Sequence, residues 1–175
     1  MEVTECPLPN EYLISRSLPR IDYADVFQIV LADGPAVTPR DAMVTFFQSF
    51  PRSFVALLLL RERLAALAGL KTAGRRSYAE HLQELDAFRG EVGERIALFE
   101  VLDRSDTELM TGADDRHLDF RLSFVALPGG AVQLATVVKI NNALGKVYFG
   151  LVRPIHRYYM RHVMRNMARR LSSLK

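Results

Sequence analysis

Cysteine is almost missing: Cys6 is the only one, so no intrachain disulfide can form, and the chain suits a reducing cytosol. No apolar run approaches the ~20 residues that a bilayer-spanning helix needs. The greasiest window, Phe54 to Leu60, is far shorter and reads as a core segment. The start, Met1-Glu2-Val3-Thr4-Glu5, lacks the basic residues and apolar stretch of a signal peptide, so a cytoplasmic protein is expected. There is no Gly-rich phosphate loop, no Gly-x-Ser-x-Gly and no histidine pair at metal-ligand spacing. Nothing in the sequence therefore calls for a cofactor or a metal. Acid is absent from one end. Residues 151–175 hold seven Lys or Arg and no Asp or Glu, whereas residues 1–150 hold the other sixteen bases against twenty acids, +7 against −4.

That basic end is also the most strongly patterned part of the chain. From Asn141 to Leu174 the sequence reads as one long helix carrying two rows. Ile155, Tyr159, Val163, Met167 and Leu171 form one, and Arg153, Arg157, Arg161, Arg165 and Arg169 form the other, two residues out of step. At helical pitch such rows lie roughly 160–200° apart, so one should be buried and the other should meet water or an anion. Pro154 is expected to kink or divide the helix.

Ahead of it, residues 1–20 contain Pro7, Pro9 and Pro19 and read as an extended lead-in. Asp22 to Leu31 reads as a strand and Asp33-Gly34-Pro35 as a turn. Thr38-Pro39-Arg40-Asp41 starts a helix with an N-cap, a proline at the first helical position and an acid in the first turn. That helix presents Met43, Phe46, Phe47 and Phe50 and stops at Pro51. A second is expected from Arg52 to Ala68, closed by Gly69, and a short amphipathic one over Tyr78, Leu82, Leu85 and Phe88. From Glu94 to Ile140 the period becomes two. Strands are expected at Ile96–Leu102, Thr107–Gly112, Leu118–Phe124 and Val132–Ile140, the last two joined by Pro128-Gly129-Gly130. Short connections imply an antiparallel meander with one face buried and one wet. With no repeat and no linker, residues 1–175 read as a single α+β domain, a curved sheet gripping a long helix.

The ordered set Asp22-Tyr23-Ala24-Asp25, Leu60-Arg61, Gly69-Leu70-Lys71-Thr72, Asp114-Asp115-Arg116-His117-Leu118-Asp119, Thr136-Val137-Val138, Leu144-Gly145, Tyr148, Pro154 and His156 resembles the bacterial domain-of-unknown-function 2867 family. Ile155 stands where that family tends to have Phe. The resemblance implies membership of the START/polyketide-cyclase (SRPBCC) helix-grip superfamily and a hydrophobic cavity between sheet and terminal helix. It implies no reaction.

The expectation is therefore a protein that binds a small apolar or amphipathic ligand without transforming it. Phe120, Leu122, Phe124, Thr136 and Val138 would line the cavity from the sheet. Tyr148, Leu151, Ile155, His156 and Tyr159 would close it from the helix, and Phe46 and Phe47 would guard its mouth. His156 is either a core histidine bonded to a carbonyl or carboxylate, or an acid–base group in the cavity of an enzyme, with Tyr148 or a strand glutamate (Glu100 or Glu108) as partner. By alternation His117 and Asp119 should point outward, in a surface ion-pair network. The arginine row is either paired internally, with Glu80, Glu84, Asp86, Glu91 or Glu94 as partners, or it binds an external anion, a membrane surface before a nucleic acid.

Overall fold

The structure is a computed structural model and describes residues 2–31, 36–51, 85–96 and 99–173. Seven strands form one antiparallel sheet: β1 (Thr4–Glu5), β2 (Tyr23–Val30), β3 (Arg95–Ile96), β4 (Phe99–Arg104), β5 (Glu108–Asp114), β6 (Leu118–Leu127) and β7 (Ala131–Ile140). Their spatial order is β1-β2-β7-β6-β5-β4-β3. Strands β3 to β7 follow one another as a meander. Strand β2, early in the chain, closes against β7, the last strand formed. The β6–β7 turn is made by Pro128-Gly129-Gly130, where Gly129 and Gly130 take left-handed φ values of 78° and 76° that side chains disfavour.

Helix α1 (Pro39–Gln48) starts where its cap chemistry says it should. The Thr38 hydroxyl accepts from the Asp41 backbone N–H, and the Asp41 carboxylate answers to the Thr38 N–H, a reciprocal capping box. Helix α2 (Ala143–Ser172) is capped by Asn142, whose side chain accepts from the Gly145 N–H at 2.9 Å. It runs as one helix through Pro154. A proline leaves the carbonyl four residues earlier without its donor. Here that residue is the exposed Gly150, whose carbonyl can turn to water, so the helix survives. The expected second helix at Arg52–Ala68 lies outside the described residues. Of the amphipathic stretch begun at Tyr78, only Leu85 and Phe88 are described with it, and both are buried in the main core.

Strand alternation decides what each face meets. Tyr23, Asp25, Phe27 and Ile29 of β2 share a face with Val138, Thr136, Leu134 and Val132 of β7 and with Phe120, Leu122 and Phe124 of β6. The lower part of that face packs against Met43, Phe46 and Phe47 of α1 and Met160, Val163, Met164 and Met167 of α2. The opposite face is not wet. Ile14 and Leu18, from the proline-rich lead-in, pack on Val26, Met110, Ala135 and Val137. Pro-rich composition suggested a loose extension, but its aliphatic residues cover the back of the sheet. The central strands are thus buried on both sides.

Candidate functional site

The alternation that sends Tyr23, Phe27 and Ile29 under the helices sends Asp25 there too. Its side chain is only 6% exposed. The first half of α2 brings His156 over it, with Nε2 3.2 Å from Asp25 Oδ2. The Tyr23 hydroxyl donates to the same Oδ2 at 2.5 Å. Thr136, directly across from Asp25 in the β2–β7 register, lies with Oγ1 3.4 Å from His156 Nε2. A carboxylate only accepts, so the proton between the pair sits on Nε2. Nδ1, the other ring nitrogen, then has no protein partner among the described residues.

Burial alone would push the Asp25 carboxyl up. The hydrogen bond and charge of His156, with the Tyr23 and Thr136 hydroxyls, outweigh it and hold the carboxyl below its ordinary value. The Tyr23 phenol moves up for the matching reasons, burial first and then its bond to the Asp25 carboxylate. Tyr23 is fixed from above and beside. Its ring meets Phe149 edge-on at 5.0 Å, and the Arg153 guanidinium stands 5.2 Å from its centroid. His156 meets it edge-on at 6.3 Å.

Oδ1 of Asp25 is buried and has no hydrogen-bond partner among the described residues. An unmatched buried carboxylate oxygen costs enough that such atoms are rare in folded proteins. Thr111 Oγ1 is in the same condition. The two belong to one row of the sheet: Asp25 is opposite Thr136, Thr136 opposite Leu122, and Leu122 opposite Thr111. The row crosses the sheet on its helix-facing side with a polar atom at each end.

The five sheet residues expected to form a lining do share this face. Leu122, Phe124, Thr136 and Val138 are buried there and Phe120 partly so. Phe124, however, is filled in by Phe46 at 5.2 Å. Phe46 and Phe47 are themselves 1% and 6% exposed, inside an aromatic cluster with Phe50 and Phe99, and so are packing residues rather than a mouth. On α2, His156 and the half-buried Tyr159 face inward, and Tyr148 packs edge-on against His117 at 5.1 Å. Leu151 and Ile155 do not close anything: they are 69% and 41% exposed, on the far side of the helix. The reason is geometric. A step of four residues overshoots one turn by about 40°, so the row ending at buried Leu171 has swung roughly 160° by Ile155.

The same drift sorts the arginines. Arg153 lies over Tyr23, while Arg157 and Arg161 both reach Glu5 of β1, Arg157 at 2.8 Å. Glu5, held below its usual range first by the Arg161 hydrogen bond, is the internal partner that the sequence did not single out. Glu91 and Glu94, weighed for that role, instead pair with Arg104 and accept from the Arg89 and Glu91 backbone N–H groups. Neither strand glutamate joins the site. Glu100 pairs with Arg95, and Glu108, on the opposite face, accepts from the backbone N–H groups of Leu13 and Ile14 at 2.7 and 3.1 Å and from Ser123. His117 does not point outward. It is 2% exposed, with Nδ1 3.5 Å from Asp115 Oδ2, and Asp119 is buried with Lys139 and Asn141 as donors. Among the described residues no group of three His, Cys, Asp or Glu could hold a metal, and no helix is long and apolar enough to cross a membrane.

Asp25 and Tyr23 were quoted above for their resemblance but given no part in a site. The signal was present: Asp25 has the parity of Tyr23, Phe27 and Ile29, an acid set into the apolar side of a strand.

Fold and site together define an α+β protein whose sheet carries a buried Asp–His pair beneath a long helix. Residues 17–163 match the family described as protein of unknown function (DUF2867), and the chain belongs to that family. Asp25, Thr111, Thr136 and His156 all fall within the matched range. No curated protein and no solved structure is significantly similar to the chain.

Proposed function

We propose that this protein binds a small, largely apolar ligand between the sheet and the first half of α2, and that the Asp25–His156 pair takes the ligand's hydrogen-bonding group. The observation carrying this reading is the state of Asp25: a carboxylate with one oxygen committed to His156 and Tyr23 and the other buried without a hydrogen-bond partner among the described residues. An acceptor so prepared selects a donor, a hydroxyl or N–H, on a body that suits Val138, Leu122 and Phe120. The unpaired Thr111 hydroxyl offers a second polar contact across the same row. A sheet followed by one long helix also favours the START/polyketide-cyclase helix-grip superfamily for this family, and the single Cys6 favours a cytoplasmic setting. A panel of alcohols and their methyl ethers tests the idea by thermal shift. The alcohols should stabilise the protein and the ethers should not. Equal shifts from both, or none from either, would count against a donor-selective site.

A second reading has one observation in its favour. With Nε2 held by Asp25 and Nδ1 unbonded, His156 is oriented as a proton acceptor, so an enzyme acting on the same ligand is the alternative.

A further inference from the structure

Five large apolar side chains stand out from α2 in a row: Leu144, Val147, Leu151, Ile155 and Tyr158, 59%, 66%, 69%, 41% and 67% exposed. Their spacings of three, four, four and three confine them to a sector of about 80° on the helix. That sector is roughly opposite Phe149, Met160, Val163 and Met167, which are buried against the protein. Single exposed hydrophobes are ordinary, but a continuous ridge of them is not. Further along the same side the ridge gives way to His162, Arg165 and Arg169, all exposed. The helix holds seven bases and not one acid over its thirty residues.

We infer that this outward side of α2 is a docking face for an anionic lipid bilayer, lying in the interface with its apolar ridge among the upper acyl chains and its basic end against the headgroups. Charge selects this occupant. Arg157 and Arg161 are answered by Glu5 and Arg153 rests on Tyr23, but Arg165 and Arg169 share the exposed side with the ridge and no acid on the helix offsets them. A second copy of the chain would bring two all-basic helices together. A bilayer needs no pre-shaped groove to accept a convex ridge, and an anionic one supplies the missing charge. The inference is independent of the ligand site, which lies on the other side of the helix.

Co-sedimentation of the full chain with phosphatidylserine-containing vesicles, compared with pure phosphatidylcholine vesicles, tests it. The protein should pellet with the first and not the second, and added salt should release it. Arg165→Ala and Arg169→Ala should each weaken binding about fivefold. Val147→Glu with Leu151→Glu should abolish binding while leaving the melting temperature unchanged, because these side chains are already 66% and 69% exposed. Failure to pellet, equal binding to both vesicles, or variants that pellet like the wild type would overturn the inference. So would a wild-type dimer that Leu151→Glu converts to a monomer, which would assign the ridge to a second copy.

Discussion

His156 Nε2 and Asp25 Oδ2, from opposite ends of the chain, meet at 3.2 Å beneath α2, and the other oxygen of the same carboxylate is buried without a hydrogen-bond partner among the described residues. The contact ties the first half of the helix to the closing strand of the sheet. It also leaves one hydrogen-bonding position open in an apolar setting. What the pair contributes to stability and what it offers a ligand can be separated by experiment.

Removing one partner of a buried pair strands the other, so Asp25→Ala should cost about 3 kcal/mol. It leaves the imidazole and the Tyr23 hydroxyl without their acceptor. Urea unfolding measures this. A loss under about 0.5 kcal/mol would mean that the contact is incidental.

Acid stability follows from the lowered pKa of Asp25. A carboxylate whose folded pKa lies below its unfolded value of about 3.9 stabilises the fold above that value. The contribution is lost as the pH falls through the folded pKa. Unfolding midpoints should hold near neutrality and drop below about pH 4. Asp25→Asn, measured over the same range, should have a shallower acid limb. An unchanged limb would assign the acid sensitivity to the other lowered carboxylates, those of Glu5, Asp22, Glu94 and Asp119.

Glu5 pins the first strand to α2 through Arg157 and Arg161, which as neighbours one turn apart repel each other. All three side chains are substantially exposed, so screening limits the effect. Glu5→Gln should cost about 1 kcal/mol at low ionic strength and less as salt is added. A salt-independent loss would point to packing of β1 rather than charge.

Two glycines of α2 should respond in opposite directions to alanine. At Gly145 an added Cβ would collide with the backbone carbonyl of His117, where the helix start presses on the β5–β6 turn. Neither side can yield cheaply, and Gly145→Ala should cost about 3 kcal/mol. At Gly150 nothing among the described residues lies within 4 Å of a new Cβ, and the better helix former should add about 1 kcal/mol. Thermal melts of the two variants give the comparison directly.

The elements legible in the sequence were those with local causes. Alternation at Leu118–Phe124 and Val132–Ile140, the Pro-Gly-Gly turn and the Thr38-Pro39-Arg40-Asp41 start all encode their geometry within a few residues, and the described strands and α1 follow them. What was not legible depended on tertiary neighbours. Whether the back of the sheet is wet was decided by where Ile14 and Leu18 land. Whether the arginine row has a partner was decided by β1 pairing beside β2, which brings Glu5 within reach. His156 was legible as a residue of interest but its partner was not, because Asp25 sits on another element and only the fold joins them. The inward placement of Leu151 and Ile155 failed for a different reason, since an every-fourth-residue row is not parallel to the helix axis.

The ligand site stands or falls with the open Asp25 oxygen. The most direct measurement is native mass spectrometry of the wild-type protein and of Asp25→Asn, each purified from its own host under non-denaturing conditions. A small molecule bearing a hydroxyl or N–H on a mainly hydrocarbon skeleton should be retained by the wild type and lost or strongly depleted in a folded Asp25→Asn variant. A wild-type protein that carries nothing, or a variant that holds the same molecule equally well, would contradict it.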